Sequence, residues 1–433
     1  MQEMNNNTED KKYSLKNNPV AHSIRYLVKW SLFACAAGAA GGLTGGLFAK
    51  AIGFVTSVRT DNPWILYLLP LIGAVIALLY MGLREEKNRG TNMILTAVSE
   101  GNDVTVPTGP LIFVTTVLSH LGGASVGREG AALQLGGWLG RRFGEFLRFN
   151  DDDRRIAVMS GMSAVFAALF GTPVAAAIFS IEVIRIGVFH YVALIPCVFS
   201  AFIGSGIAKR LGVEPELFPI EQIPWAGLEN LLKAAVLGLL CALLSILLVF
   251  TFHKASELSR KLIPNAILRA AVCGALITGL TLLLGTADYS GAGTGLIEKA
   301  MAGEAGAFAF LLKLIFTALA LAGGFKGGEI VPTLSIGACF GALFGSIAGL
   351  PVPFSAALGM IALFAGATNC PIASLMIAME MFNGRGLPFF AITVTVSFVL
   401  SGYYSLYGSQ RFAFSKTGIK VEELQKQKQK HQN

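Results

Sequence analysis

From residue 31 to residue 407 the chain is a succession of apolar segments separated by short polar breaks: 31–57, 63–83, 109–126, 155–184, 189–207, 227–252, 266–285, 306–323, 331–350, 354–382 and 387–407. Lipid offers a backbone no hydrogen-bond partner, so such segments must satisfy their own N–H and C=O groups, which an α-helix does within itself. Most reach the roughly 20 residues that cross a hydrocarbon core, and several are long enough to hold two helices. Regular Gly and Pro breaks predict short, tilted or broken helices in place of straight spans, roughly ten to eighteen in all. Composition agrees: 54% of the 433 residues are hydrophobic and 14% charged, where soluble domains average about 25% charged. The chain reads as an all-α integral membrane protein.

The formal net charge of +8 sits mainly in the tails and a few loops, so it speaks for topology and against a nucleic-acid partner. Lys11, Lys12, Lys16, Arg25 and Lys29 precede the first apolar segment, and Lys416, Lys420, Lys426, Lys428 and Lys430 follow the last. Positive residues stay on the cytoplasmic side, which predicts both termini in the cytoplasm of a multi-pass plasma or inner membrane protein. The polar opening stretch contains no cleavable signal peptide. Six cysteines are scattered singly through apolar segments, a pattern of buried free thiols with no metal site or cofactor implied. The expected divisions are a polar N-terminal segment 1–24, a first membrane repeat 25–209, a more polar linker 210–226, a second membrane repeat 227–410 and a polar tail 411–433.

Within the apolar run, Gly127-Arg128-Glu129-Gly130 places a base and an acid at the mouth of the helix AALQLGGWLG, 131–140. Charge at such a position marks a functional site. The positive end of a helix dipole and its unpaired N–H groups hold a carboxylate by the same forces that attract a diffusible anion, so Glu129 is read as standing in an anion's place. The flanking glycines, Gly127 and Gly130, leave accessible backbone around it. The bland reading is that Glu129 caps its helix.

The second half repeats the first. KGGEIVPTLSIGA (326–338) echoes GREGAALQLGG, and PIASLMIAME (371–380) echoes PVAAAIFSIE (173–182) at both Pro and Glu. Glu129 thus pairs with Glu329, and Glu182 with Glu380. Repeats of this kind mark secondary transporters, whose sites form between the halves from broken helices with N-termini aimed at an anion, and an inverted pairing of the halves is expected. Thr91 and Asn92 at the start of GTNMIL offer either helix caps or an OH and an NH₂ to an anion. Tyr407 is either an interfacial anchor or a hydroxyl donor. His120 is read as packing. A membrane-embedded hydrolase needs a nucleophile and a base, and Ser125 near His120, with no repeated acid partner, is a poor pair.

Taken together, GTNMI (90–94), GREGA (127–131), GEIVP (328–332) and Tyr407 resemble, in order and spacing, the GSGIP-like, GREGP, GxFxP and late-tyrosine marks of the CLC chloride-channel family. The resemblance implies two inverted-topology repeats, a homodimer with one pore per subunit, and no enzymatic activity. It implies Glu129 as the gating and proton-coupling glutamate. It also implies an anion site lined by Thr91, Asn92, the Gly127, Arg128 and Gly130 loop, the Ile330 and Val331 amides and Tyr407, with Glu329 as a possible accessory. Thr91 stands where chloride-type members have Ser, Ile94 where they have Pro, and Ile330 where they have Phe. With Glu329 and the strings SHLGGASVGREGA and GGFKGGE, these departures resemble the fluoride-selective branch, which usually carries Asn or Met at the position of Thr91. The family's inner proton-path glutamate falls at Val183, and the fluoride branch also lacks it. The resemblance therefore implies fluoride/proton antiport, with chloride/proton antiport or passive chloride conduction as the alternative; the transported species are fluoride or chloride and H⁺, and membrane lipid surrounds the chain.

Overall fold

The computed structural model describes residues 19–86 and 90–417. The lysines at 11, 12, 16 and 420–430, and most of the N-terminal segment and tail, lie outside them. Sixteen α-helices are present among the described residues. The first half carries α1 (Pro19–Asp61), α2 (Leu69–Gly82), α3 (Thr91–Ser99), α4 (Thr108–Gly122), α5 (Glu129–Phe146), α6 (Asp151–Phe170), α7 (Pro173–Glu182) and α8 (Leu194–Arg210). The second carries α9 (Leu228–Leu262), α10 (Ala266–Leu284), α11 (Thr294–Ala302), α12 (Ala309–Gly323), α13 (Ile330–Ala348), α14 (Val352–Thr368), α15 (Pro371–Met381) and α16 (Leu387–Leu400). Among the described residues six spans, some joined to a short 3₁₀ turn, are long and apolar enough to cross a membrane; many of the others are half-helices, as the Gly and Pro breaks predict.

Local chemistry explains the breaks. The 155–184 segment splits because Gly171 ends α6 at φ 71° and Pro173 opens α7; 354–382 splits at Asn369, φ 58°, before Pro371. A left-handed residue followed by proline ends one helix and starts the next. Asn150 caps α6, its side chain accepting from the Asp153 N–H at 2.8 Å, with three aspartates in the first turn favoured by the dipole.

The repeat is plainest in α4–α7 against α12–α15. Helices α5 and α6 cross so closely that a Cβ on Gly136 would stand 2.3 Å from the Gly161 carbonyl oxygen. Helices α13 and α14 do the same, with 2.5 Å from Gly337 to the Gly359 oxygen. Small residues are what allow helices to approach in lipid. The halves are inverted. Gly127 and Gly328 form an antiparallel bridge, and α7 and α15 exchange caps: Glu182 accepts from Ile372 N–H at 3.1 Å and Ala373 N–H at 2.7 Å, while Glu380 accepts from Val174 N–H at 3.0 Å and Ala175 N–H at 2.8 Å. The two carboxylates are therefore paired across the repeat, each holding the other repeat's helix mouth.

Two expectations need correction. Arg128 and Glu329 are the residues preceding α5 and α13, so the structural counterpart of Glu129 is Ile330, and Glu329 stands opposite Arg128. Five cysteines are buried, but Cys35 is exposed, because it lies on an outward face of α1. The stretch 211–227 between the halves is free of helix and packs on both: Glu216 N–H donates to Phe170 O and Phe218 N–H to Met381 O. After α16 the chain returns along the body. A two-residue parallel pair, β1 (Arg185–Ile186) with β2 (Arg411–Phe412), and Lys416 Nζ on Asn369 Oδ1 and Phe398 O hold it there.

Candidate functional site

At the crossing of the repeats, Gly127 N–H donates to Gly328 O at 2.6 Å and Gly328 N–H to Gly127 O at 2.8 Å. Neither residue has room for a side chain: a Cβ on Gly328 would stand 2.3 Å from the Gly130 nitrogen. The Gly127 N–H is thereby spent, a correction to its place among the anion donors; the residue supplies close approach instead. The crossing sets two helix N-termini side by side. In α5, Glu129, Gly130 and Ala131 precede the first intrahelical bond, Ala132 N–H to Arg128 O. In α13, Thr333 N–H closes on Glu329 O, and Pro332 has no N–H, which leaves the donors of Ile330 and Val331.

Glu129 is fully buried. Its carboxylate folds back onto its own helix mouth, where Oε2 accepts from the Arg128 N–H at 2.9 Å. The other oxygen, Oε1, has no hydrogen-bond partner and stands 3.5 Å from Arg128 Nε. This is a negative group on a backbone donor of a helix end, the setting that also favours a diffusible anion.

Tyr407 is also buried, at 2% exposure, which sets aside the interfacial anchor, and its hydroxyl has no partner. A buried hydroxyl without a bond is costly. It lies within electrostatic reach of both Glu129 and Glu329. Leu406 N–H on Ala367 O at 2.9 Å and Tyr407 N–H on Ser405 Oγ at 3.1 Å fix its backbone.

The start of α3 closes the constellation. Thr91 is buried and its hydroxyl donates to Gly130 O at 3.3 Å, an oxygen that also accepts from Gln134 Nε2 at 3.1 Å. In this state the Thr91 proton therefore serves the loop. Asn92 Oδ1 accepts from both Ser409 N–H, 2.9 Å, and Ser409 Oγ, 2.8 Å, tying α3 to the segment that carries Tyr407. Its first role is to position that segment. Glu329 precedes α13 without a capping hydrogen bond.

Two vestibules approach these residues. One, about 1350 Å³, is lined by Arg59, His120, Arg128, Glu216, Asp288 and Lys299; the other, about 540 Å³, by Met93, Glu100, Asp103, Ser409 and Arg411. Arg128 lines the first and Ser409 the second. Hydrogen bonds join Thr91 to Gly130 and Asn92 to Ser409, the Gly127–Gly328 bridge sets the Glu129 and Ile330 helix ends side by side, and Tyr407 feels the charge of Glu129. Sequence reasoning missed Glu216, whose side chain meets Arg128: an acidic residue in a polar linker carries no signal of its own. It also missed Lys313, fully buried and bonded to Tyr289 O and Gly291 O.

Comparison with known proteins places this geometry in context. Residues 72–402 match the family described as voltage gated chloride channel. A "Chloride/fluoride channel protein" of Pseudomonas syringae pv. tomato is 34% identical over 399 residues, 90% of this chain and 88% of the relative. An "H(+)/Cl(-) exchange transporter ClcA" of Vibrio campbellii is 28% identical, covering 60% of this chain and 59% of its own length. Among solved structures, a CLC-type fluoride/proton antiporter superposes with a TM-score of 0.86 at 31% identity over 92% of this chain and all of that one. A slow cyanobacterial Cl⁻/H⁺ antiporter, at 20% identity and a TM-score of 0.73 over 86% of this chain and 94% of that one, shares the fold.

Proposed function

Because the chain belongs to the voltage gated chloride channel family, a family of membrane transporters and channels, we propose that its anion/proton transport is the exchange of fluoride for protons, with Glu129 as the coupling group. One observation carries this: the Glu129 carboxylate occupies the α5 mouth with one oxygen free of hydrogen bonds, within electrostatic reach of a Tyr407 hydroxyl that also lacks a hydrogen-bond partner. An ionised carboxylate there competes with an anion; protonated, it loses its hold on the N–H groups and can move aside. Helix-end N–H groups of Ile330 and Val331 and the Tyr407 hydroxyl are donors of the kind that replace the hydration of a small, hard anion.

Fluoride is supported by the departures at Ile94, Ile330 and Glu329, and by the names of the relatives at 34% and 31% identity. The second reading, chloride/proton exchange, is supported by the named activity of the Vibrio relative. Liposomes containing the purified protein, loaded with fluoride or chloride and read by ion-selective electrodes with a pH probe, decide between them. The expected result is faster fluoride efflux with proton movement in the opposite direction. Chloride flux exceeding fluoride flux overturns the selectivity, and anion flux without protons overturns the exchange. The reading includes a homodimer with one pathway per subunit and both termini in the cytoplasm. Light scattering in detergent should give twice the 45.8 kDa of one chain; a monomer overturns that part.

A further inference from the structure

At the mouth of the pathway one guanidinium stands between two carboxylates. One arm of the Arg128 fork is occupied: Nη2 donates to Oε1 of Glu216 and, at 3.5 Å, to Leu169 O. Toward Glu129 it makes a loose ion pair, Nε standing 3.5 Å from Oε1, an oxygen without a hydrogen bond. Glu216 comes from the linker between the repeats and is seated firmly. Its N–H donates to Phe170 O at 3.1 Å, and the preceding Pro215 packs on Gly171, where a Cβ would stand 2.4 Å from the proline ring. Arg128 and Glu216 line the same vestibule, their side chains 20% and 12% exposed, so the pair is largely withdrawn from water.

Arginine prefers a bidentate grip on a carboxylate, with two parallel N–H donors on two oxygens. Were its fork free, Arg128 would have such a partner in Glu129, one residue away. The other charged and titratable groups at this corner are His120 of α4, Arg59 of α1 and Lys313 of α12, with Glu329 and Tyr407 on the side of the second repeat. Arg59 donates to His120 O at 2.8 Å and Lys313 to Tyr289 O and Gly291 O. Arg128 is thus the cation in ion-pair range of Glu129 among the described residues.

We propose that Glu216 is a positioning residue for Glu129: by engaging Nη2 of Arg128 it keeps that guanidinium at a loose 3.5 Å contact and from closing its fork on the Glu129 carboxylate, and so lets Glu129 take a proton from the vestibule and leave the helix mouth. This rests on the reading of Glu129 as the coupling group. Without Glu216, the freed arm of Arg128 turns to Glu129 and tightens the 3.5 Å ion pair into a hydrogen-bonded one. A proton arriving from the vestibule must then break that pair, and transport needs a more acidic solution on that side.

The test is proton-coupled anion efflux from liposomes containing the full chain, followed as the pH on the vestibule side is varied. Glu216→Gln is expected to move the pH profile toward acid by about one unit, the lower end of the effect of an opposite charge on a carboxyl. Glu216→Asp, which keeps the charge on a shorter stem, is expected to move it less in the same direction. Combined with Glu129→Gln, Glu216→Gln should change the profile no further, because the group it acts through is gone. An unchanged profile in both single variants, or an equal shift in the Glu129→Gln background, overturns the role of Glu216. Should Glu216→Gln not fold, Glu216→Asp alone decides by the same criterion. Anion movement without protons in the unmodified protein overturns the reading of Glu129 instead, so the two failures are distinguishable.

Discussion

At the first helix mouth α5 opens on Arg128 and Glu129, and at the second α13 opens on Glu329 and Ile330, the two held together by the Gly127–Gly328 bridge. Around them the repeats match closely. Both have glycine-backed helix crossings, both have a left-handed residue and a proline before a half-helix, and each half-helix is capped by a glutamate from the other repeat. At the mouths the match ends. The first presents a carboxylate folded onto its own backbone; the second presents N–H donors behind an apolar side chain. On the proposed function, duplication supplied a symmetric frame with two anion-attracting ends. Differentiation put the mobile charge at one end and left bare donors at the other.

Four measurements break or sharpen that comparison. The largest effect is expected from Glu129→Gln: proton movement lost, with anion flux persisting and no longer dependent on pH, read by electrode and pH probe in liposomes. Proton-coupled exchange surviving that change would end the assignment of the switch to the first mouth. Next, Gly136→Ala and Gly337→Ala each force a methyl group against a facing carbonyl oxygen at 2.3 and 2.5 Å. Each should cost about 3 kcal/mol by overpacking, read as a lowered thermal midpoint in detergent. A large effect in one repeat alone would show that the frame is not shared equally.

Glu182→Gln and Glu380→Gln each weaken a carboxylate's bonds to two N–H groups, at about 2 kcal/mol. Glu182, at 8% exposure and with the shorter bond, should lose more than the half-buried Glu380; the reverse order in thermal midpoints contradicts the burial argument. Smallest is Ile330→Val, about 1 kcal/mol, with anion flux within about twofold, since backbone donors survive a side-chain change. A collapse of flux there would mean that the side chain, and not the amide, carries the second mouth.

Much of this was legible in the residues. Pro173 and Glu182 against Pro371 and Glu380 gave the repeat, and Glu129 between two glycines marked the helix end. The register of the second mouth was not legible. Glu129 and Glu329 both stand beside glycine, so matching strings pairs them, while the backbone bridge, a three-dimensional fact, pairs Arg128 with Glu329. The division of labour at α3 was hidden for a similar reason: whether Thr91 and Asn92 face an anion or the protein depends on Gly130 and Ser409, distant in sequence. Glu216 lies 88 residues from the arginine it meets, in a linker whose composition advertises only polarity.

The exchanged caps of α7 and α15 bear on how such a molecule can move. Rocking one repeat against the other would strip two carboxylates from four amides at once, at a cost of about 2 kcal/mol or more for each carboxylate. Bolted in this way, on the proposed function, the protein resembles a lock whose case is fixed and whose tumbler is a single side chain, with opening and closing left to displacements no larger than a glutamate's reach.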